Sequence, residues 1–473
     1  IEDSSVANEI CDMYVLHKTH GRFVLPSKGA GSDGDYEGAA VFPPISGVEE
    51  NVVVTDLKSL YPMCMVTMNL SPETGVDPDE YDGETYVAPN GLHFRKEPDG
   101  IIREIVDELL SRRDELKAER NTHDPESDSY KRLDRQQVSV KVVMNSIYGV
   151  LAWDKFRLYD KDMGAAVTAT GRGVIQFTED VVNELDYEVT YGDTDSVMIS
   201  LGHEVSKSQA LEIGFELAET INDRYDEFAA TLNADDHRFQ MEFEKLYKRY
   251  FQAGKKKRYA GHIVWKEGKD VDDIDITGFE YKRSDTPRFV KETQKTVLDM
   301  IVRGEETDEV RSYVKGRIDE VKSEDVPLDE IGIPGGIGKK LTSYNPPGVH
   351  VRGAIYANLL LGKNFGKGSK PKRIYLERVL ERFYHKIERR RKWELERSDW
   401  YRQFKQEVAS DDDTEGAICI EYPEDLPEEF IVDWDRQLDK TLRGPIERVT
   451  EPLGLTWDEI ETGHEQTGLG AFS

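Results

Sequence analysis

The sequence predicts an α+β protein in which a few short strands, one of them half of a hairpin, are set among long polar helices. Three observations predict it. Tyr191-Gly192-Asp193-Thr194-Asp195-Ser196 lies between Glu188-Val189-Thr190 and Val197-Met198-Ile199-Ser200, so apolar and β-branched residues enter a Gly-Asp turn and leave it again, the pattern of a tight hairpin. Asn51-Val52-Val53-Val54-Thr55-Asp56 is a short buried strand that ends on a carboxylate. Segments 104–119, 130–148, 164–185, 208–228, 290–302, 309–321 and 374–408 read as helices, with apolar residues at helical spacing where the pattern is clearest.

At 473 residues the chain is expected to form two to four domains. It opens on Ile1, which gives the expectation of a fragment or a processed product. No run of 18 apolar residues and no signal peptide is found, and a soluble intracellular protein is expected. Cys11, Cys64 and Cys419 lie far apart without a CxxC, which argues against a zinc knuckle, an iron–sulfur cluster or a disulfide framework. The ten histidines show no metal-ligand spacing.

Charge is the unusual property: 63 basic against 93 acidic residues, a net charge of −30. A general nucleic-acid binder is expected to be basic, because neutralised phosphates supply much of its affinity. Either the partner is not nucleic acid or the surface is adapted to molar salt, where the screening length falls to about 3 Å. The acidic runs Asp411 to Glu415 and Glu421 to Glu429 fall where loops are expected. A salt-adapted protein with a few local basic clusters is the reading favoured.

Taken in order, residues 1–50 hold little regular patterning, with a glycine-rich loop over Gly29 to Asp35 and a strand entry near Val41 before Pro43-Pro44. After the strand ending at Asp56, Leu57-Lys58-Ser59-Leu60-Tyr61-Pro62 follows, and Pro62 blocks further strand pairing. Asp56 is either one wall of a metal site or a helix N-cap. Asp193 and Asp195 are two apart and on extended backbone would point to one side. They are either an acidic turn or, because adjacent carboxylates repel, a seat for a divalent cation.

The helices 104–119 and 130–148 make a hairpin around a Pro125 loop, the second ending at a Gly149 C-cap. Arg113 and Lys117 stand four apart on the first, and Lys141, Asn145 and Tyr148 share a face of the second. Their cations are either solvated surface or, converging beside carboxylates, a triphosphate site. Lys248 to Arg258 carries six basic residues in eleven with Tyr250, Phe251 and Tyr259 interleaved, and backbone-phosphate contact competes with a solvated loop. Lys363 to Lys372 is a Gly/Lys-rich turn, a linker or a further nucleic-acid contact.

Several of these stretches together resemble family B DNA polymerases. Asp56-Leu57-Lys58-Ser59-Leu60-Tyr61-Pro62, Lys141 to Gly149 (KVVMNSIYG) and Tyr191 to Ser196 (YGDTDS) resemble the family's motifs A, B and C, in the family's order. Lys256-Lys257-Arg258-Tyr259 is similar to its KKRY motif, Tyr36-Glu37-Gly38-Ala39 to its YxGG/A element, and Phe430 to Gly454 to the end of its thumb. With the acidic composition, the similarity is to the archaeal replicative polymerases of halophiles. Leu57 and Met63 stand where the family often carries Phe and Ser, beside the catalytic positions.

The resemblance implies a right-hand polymerase architecture. Residues 1–40 would link to a missing N-terminal exonuclease region, 41–98 begin an antiparallel-sheet palm, 99–149 form helical-hairpin fingers, 150–288 complete the palm, 289–461 form a mostly helical thumb, and 462–473 form a clamp-binding tail. It implies dNMP addition from dNTPs to a primer 3′-hydroxyl with release of pyrophosphate, by two Mg2+ ions (Mn2+ a substitute), without proofreading. Asp56 and Asp195, with the backbone of Leu57, would hold both ions, and Asp193 would be a neighbour of lesser catalytic weight. Ser59, Leu60, Arg113, Lys117, Lys141 and Asn145 would hold the triphosphate. Tyr61 would exclude a 2′-hydroxyl, and Tyr148 would pack at the nascent base pair. Lys256, Lys257, Arg258 and Tyr259, with Tyr36 and Gly38, would contact primer-template DNA. Gln466, Leu469 and Phe472 match a sliding-clamp box. A monomer in the cytoplasm, associated with the nucleoid and not with a membrane, is implied. The alternative from another class is a catalytically dead scaffold that binds DNA or a clamp.

Overall fold

In the computed structural model, residues 6–28, 38–151, 153–410 and 415–463 are described. The first element corrects an expectation. Val6–Thr19, within the expected linker, forms α1, and Cys11 and Val15, one helical turn apart, are fully buried. The buried Asp12 accepts from the Arg157 backbone N–H at 3.1 Å and pairs with Lys28 and Arg157. The helix is hard to read from sequence because Ile10 and Met13 put apolar side chains on its exposed side, which blurs the periodicity.

The run of valines forms the inner half of β1 (Gly47–Leu57), with Val52, Val53 and Val54 all buried. Beyond Asp56 the chain turns through Ser59, which takes a left-handed conformation (φ 53°) and caps α2 (Leu60–Thr67). The helix-cap role open to Asp56 therefore belongs to Ser59. Pro62 sits in the first turn of α2, where backbone N–H groups have no intrahelical acceptor and its ring costs no hydrogen bond.

A small sheet of β2 (Gly75–Val76), β3 (Thr85–Val87) and β4 (His93–Arg95) precedes the helical hairpin α3 (Ile101–Asn121) and α4 (Asp128–Leu151). Gly149 does not cap α4, which runs on to Leu151. Next come α5 (Lys161–Glu184), the strands β5 (Glu188–Asp193) and β6 (Ser196–Ser200), and α6 (Lys207–Thr231). The long antiparallel strands β7 (Met241–Gln252), β8 (Tyr259–Lys266) and β9 (Lys269–Thr277) follow.

β1 and β5 to β9 form a six-stranded sheet in the order β5-β6-β1-β7-β8-β9. β1 and β6 run antiparallel with Asp56 opposite Ser196, and β5 and β6 close a hairpin with Asp193 opposite Ser196. The turn is therefore Thr194-Asp195, with Thr194 at φ 63°, and not Gly-Asp. Gly192 is a paired strand residue, and glycine is required because a Cβ there would lie 2.4 Å from the Phe42 ring. Asp195, being in the turn, escapes the two-residue alternation expected to align it with Asp193.

The remaining elements are α7 (Arg288–Arg303), α8 (Thr307–Lys322), α9 (Leu328–Ile331), β10 (Ile333–Pro334), α10 (Val349–Leu361), β11 (Lys372–Val379), α11 (Glu381–Glu396) and α12 (Asp399–Val408). They end with β12 (Ala417–Ile420), β13 (Phe430–Val432), α13 (Trp434–Leu438), α14 (Gly444–Thr450) and α15 (Trp457–Thr462). The helix expected over 374–408 is thus a strand followed by two helices. Ile374, Tyr375 and Leu376 are buried in succession in β11, which β12 and β13 flank. Ser398 then breaks the helical run by capping α12.

The chain divides into two units, one of Ile1–Ile45, Glu49–Lys248 and Ile263–Asp272, the other of Ser46–Val48, Arg249–His262 and Asp273–Ser473. The first is built on one core that joins β1, α2, the α3–α4 hairpin, α5 and α6. The second holds two cores. One sets Val297 and Ile301 of α7 against Val310 and Val314 of α8. The other gathers Tyr356, Leu376, Phe383 and Phe404. Among the described residues no helix is long and apolar enough to cross a membrane.

Candidate active site

The site lies within the first unit. The end of β1 and the turn after β5 bring Asp56 and Asp195 to one cleft of about 970 Å³. The Leu57 N–H donates to the Asp195 carbonyl at 2.7 Å, which fixes the two carboxylates' backbones side by side. Ser196 Oγ donates to Asp56 Oδ1 at 2.8 Å. Burial, then the Asp195 charge, pushes the Asp56 carboxyl up to about 7, against the Ser196 hydrogen bond. Burial also raises Asp195, with Asp193 and Glu244 adding to it. Two desolvated carboxylates with raised affinity for protons, side by side, offer hard oxygen donors, and this donor chemistry fits a divalent cation. Among the described residues no group of three or more His, Cys, Asp or Glu makes a metal site, so the side-chain donors are this pair. Asp193 does not line the cleft; its carboxylate accepts from Thr194 Oγ1 at 3.0 Å.

The cations of the helical hairpin share this cleft. Arg113, Lys117, Lys141 and Asn145 all line the cleft, with Ser59. Arg113 Nε donates to Gln137 at 3.3 Å across the hairpin. Burial lowers the Lys117 ammonium, and the neighbouring Arg113 lowers it further, so positive charge is crowded where an anion would relieve it. Tyr61 and Tyr148 stack with ring centroids 4.2 Å apart. The α5 backbone comes close because residue 171 is glycine: a Cβ there would lie 3.2 Å from the Tyr61 ring. Leu57 and Leu60 are buried and, like Tyr61 and Tyr148, are not among the residues that line the cleft.

Several cleft residues escape the sequence reading. Lys58 and Arg120 both line it. Arg120 falls three residues after Lys117 on the stripe begun by Arg113, so its spacing carried a signal. It is braced by Asp134 at 2.7 Å and lies over the Tyr130 ring. Glu242, Glu244, Lys266 and Lys269 also line the cleft, and no local pattern marks them.

The basic stretch belongs to the second unit over Arg249–His262, where it forms the turn joining β7 to β8. Lys255, Lys256 and Lys257 are exposed, and Lys257 has φ 62°. Arg258 is directed inward, 3.7 Å from Glu280, a nearly buried carboxylate also paired with Arg448 at 2.9 Å. Tyr259 packs on Tyr250 with centroids 5.7 Å apart. In the Gly/Lys-rich turn, Lys363 is paired with Asp425. The Gly38 carbonyl accepts from Arg172 at 2.6 Å. Tyr36, Gln466, Leu469 and Phe472 lie outside the described residues.

The sequence signature of DNA polymerase family B matches residues 5–355. The chain belongs to DNA polymerase family B. The family B chain is 33% identical over 335 residues to DNA polymerase 2 of Aeropyrum pernix, covering 70% of this chain and 38% of that one. It is 33% identical over 323 residues to the DNA polymerase of Archaeoglobus fulgidus, with 68% and 38% covered. To the DNA polymerase delta catalytic subunit of Candida albicans it is 30% identical over 356 residues, with 69% and 32% covered. Among solved structures, the family B DNA polymerase of the hyperthermophilic archaeon Pyrobaculum calidifontis superposes with a TM-score of 0.69 at 26% identity, covering 96% of this chain and 52% of that one. The chain thus spans less than half the length of these sequence relatives.

Proposed function

We propose that the chain catalyses template-directed DNA synthesis in replication, adding dNMP from a dNTP to a primer 3′-hydroxyl with release of pyrophosphate. The observation that carries this is one cleft lined by Asp56 and Asp195 together with Arg113, Lys117 and Lys141. Family membership supports the reaction class and primer-template DNA and dNTPs as its substrates.

Asp56 and Asp195 would hold two Mg2+ ions, with the Leu57 carbonyl as a further oxygen donor and Mn2+ as a substitute; bound there, the ions would supply activation of the 3′-hydroxyl and charge neutralisation at the leaving oxygen. Asp193 would add negative charge from outside the cleft. Arg113, Lys117 and Lys141 neutralise the triphosphate and hold it in line, while Asn145 and the backbone at Ser59 and Leu60 complete its seat. Ser59's left-handed backbone aims the first N–H groups of α2 toward the phosphates, a helix N-terminus being a natural anion site. Tyr61, braced by Tyr148 and by the α5 backbone at Gly171, occupies the space a 2′-hydroxyl would need. Tyr148 would then meet the nascent base pair.

In this reading β1 and the strands after it form the palm, α3 and α4 the fingers, and the second unit from α7 onward the thumb. Lys256, Lys257 and Tyr259 contact the duplex backbone, with Arg258 holding their turn through Glu280 and with Tyr36 and Gly38 beside the template. The terminal Gln466, Leu469 and Phe472 engage a sliding clamp, and the chain acts as a monomer in a nucleoid-associated setting. The acidic composition supports working salt near molar. The test is primer extension with dNTPs and Mg2+. Activity that disappears in Asp195→Ala while duplex affinity is kept is expected. Duplex binding without extension at any salt would leave a DNA-binding scaffold instead.

A further inference from the structure

The cleft is also lined by two lysines of the β8–β9 hairpin, Lys266 and Lys269, beside Glu242, Glu244 and Glu267. β8 and β9 are joined by a two-residue turn, Glu267-Gly268, with φ of 45° and 84°. Both values are positive, as a tight hairpin with the right strand twist requires. A two-residue turn sets Lys266 and Lys269 directly opposite each other with their side chains on one face. Both line the cleft that holds Asp56, Asp195 and Lys141, and so does Val271, two residues along the same face from Lys269.

Like charges directly opposed across two strands repel. Here the repulsion is only partly relieved. Lys266 Nζ stands 3.9 Å from the Glu244 carboxylate, which Lys245 Nζ also approaches at 3.8 Å. The turn is also fixed in place, because the Glu267 N–H donates to the Glu244 carbonyl at 3.0 Å. Two lysines opposed on a held turn at the edge of a cleft put two ammonium groups within reach of one anion. The cleft therefore receives cations from two elements, the α3–α4 hairpin on one side and the β8–β9 turn on the other.

We propose that Lys266 and Lys269 bind pyrophosphate, receiving the β- and γ-phosphates as they leave and guiding pyrophosphate in for the reverse reaction. The inference rests on the polymerase reading. In the forward step the primer 3′-oxygen bonds to the α-phosphorus and gives up its proton to solvent. The α-phosphorus bond to the bridging oxygen breaks, and that oxygen leaves with the electron pair on pyrophosphate. In reverse, a pyrophosphate oxygen attacks the phosphorus of the terminal nucleotide, the bond to the 3′-oxygen breaks, and that oxygen takes a proton. The lysine pair neutralises the group that carries the extra charge at the end of the first process and the start of the second.

The test compares wild type with Lys266→Ala/Lys269→Ala and Lys266→Arg/Lys269→Arg in pyrophosphorolysis of a primer–template. Removing both charges is expected to raise the KM for pyrophosphate roughly tenfold, with the primer–template Kd kept and the arginine pair close to wild type. A pyrophosphate KM unchanged by the double alanine variant overturns the inference. Calorimetry with inorganic pyrophosphate alone separates the two readings. A wild-type chain that does not extend primers overturns the polymerase reading, and an equal pyrophosphate Kd in wild type and double alanine variant overturns the lysine site.

Discussion

At the residue scale the proposed chemistry depends on how few side chains are free to move. Tyr61 is held between the Tyr148 ring, 4.2 Å away, and the backbone of α5 at Gly171. Tyr61→Ala would open that space, and the preference for dNTPs over rNTPs in kcat/KM is expected to fall by roughly 10- to 200-fold; unchanged discrimination would remove Tyr61 from the sugar site. Lys141 lines the cleft with Asp56 and Asp195 and its charge acts on both carboxylates. Lys141→Ala should raise the KM for dNTPs roughly tenfold, the worth of a charge-assisted hydrogen bond, with duplex affinity kept, as steady-state kinetics and a binding titration would show. Much of this cleft was legible. Asp56, Asp195 and Lys141 sit in short local patterns, and Arg113 and Lys117 repeat at one helical turn. Arg120 continues that stripe, three residues beyond Lys117. Lys266 and Lys269 could not be found from sequence, because only pairing across a turn and folding of the sheet bring them to the cleft.

At the scale of elements, two glycines mark where backbone and side chain come too close for a Cβ. Gly192→Ala would drive a methyl to 2.4 Å from the Phe42 ring. Overpacking of this kind costs about 1 to 3 kcal/mol, so the urea midpoint should fall; an unchanged midpoint would mean that Phe42 yields freely. Gly278 sits at φ 75°, and a Cβ there would lie 1.7 Å from the Lys257 carbonyl. Gly278→Ala should therefore distort the β7–β8 turn and weaken primer–template binding while dNTP KM stays near wild type; unaltered duplex affinity would separate that turn from the DNA. The hairpin carrying Asp195 was visible because β-branched residues flank a compact polar tip. Its exact turn was misplaced because Gly192 answers to Phe42, a neighbour distant in sequence. Helix α1 is not legible because apolar residues fall on both its faces, and β11 reads as helix because its buried run is too short for periodicity to separate strand from helix.

For the whole molecule, composition says more about conditions than about fold. A net charge of −30 opposes approach to DNA at low salt, and screening shortens to about 3 Å near 1 M. Extension per enzyme is expected to rise between low and molar KCl, in contrast to the loss of affinity with salt usual for DNA-binding proteins. Activity highest at low salt would contradict the salt-adapted reading. The division into two units was not legible, since four of its five boundaries fall inside β1, β7, β8 and β9, where composition does not change. The order of the polymerase-like motifs was legible because each is short and local.

The measurement closest to the centre of this account is primer extension by the chain with dNTPs and Mg2+, run beside Asp56→Ala and Asp195→Ala with duplex binding recorded for all three. The account predicts extension by the wild type, none by either variant, and the same primer–template Kd throughout. Extension that survives in either variant would contradict the assignment of the two carboxylates, and with it the chemistry proposed for the cleft.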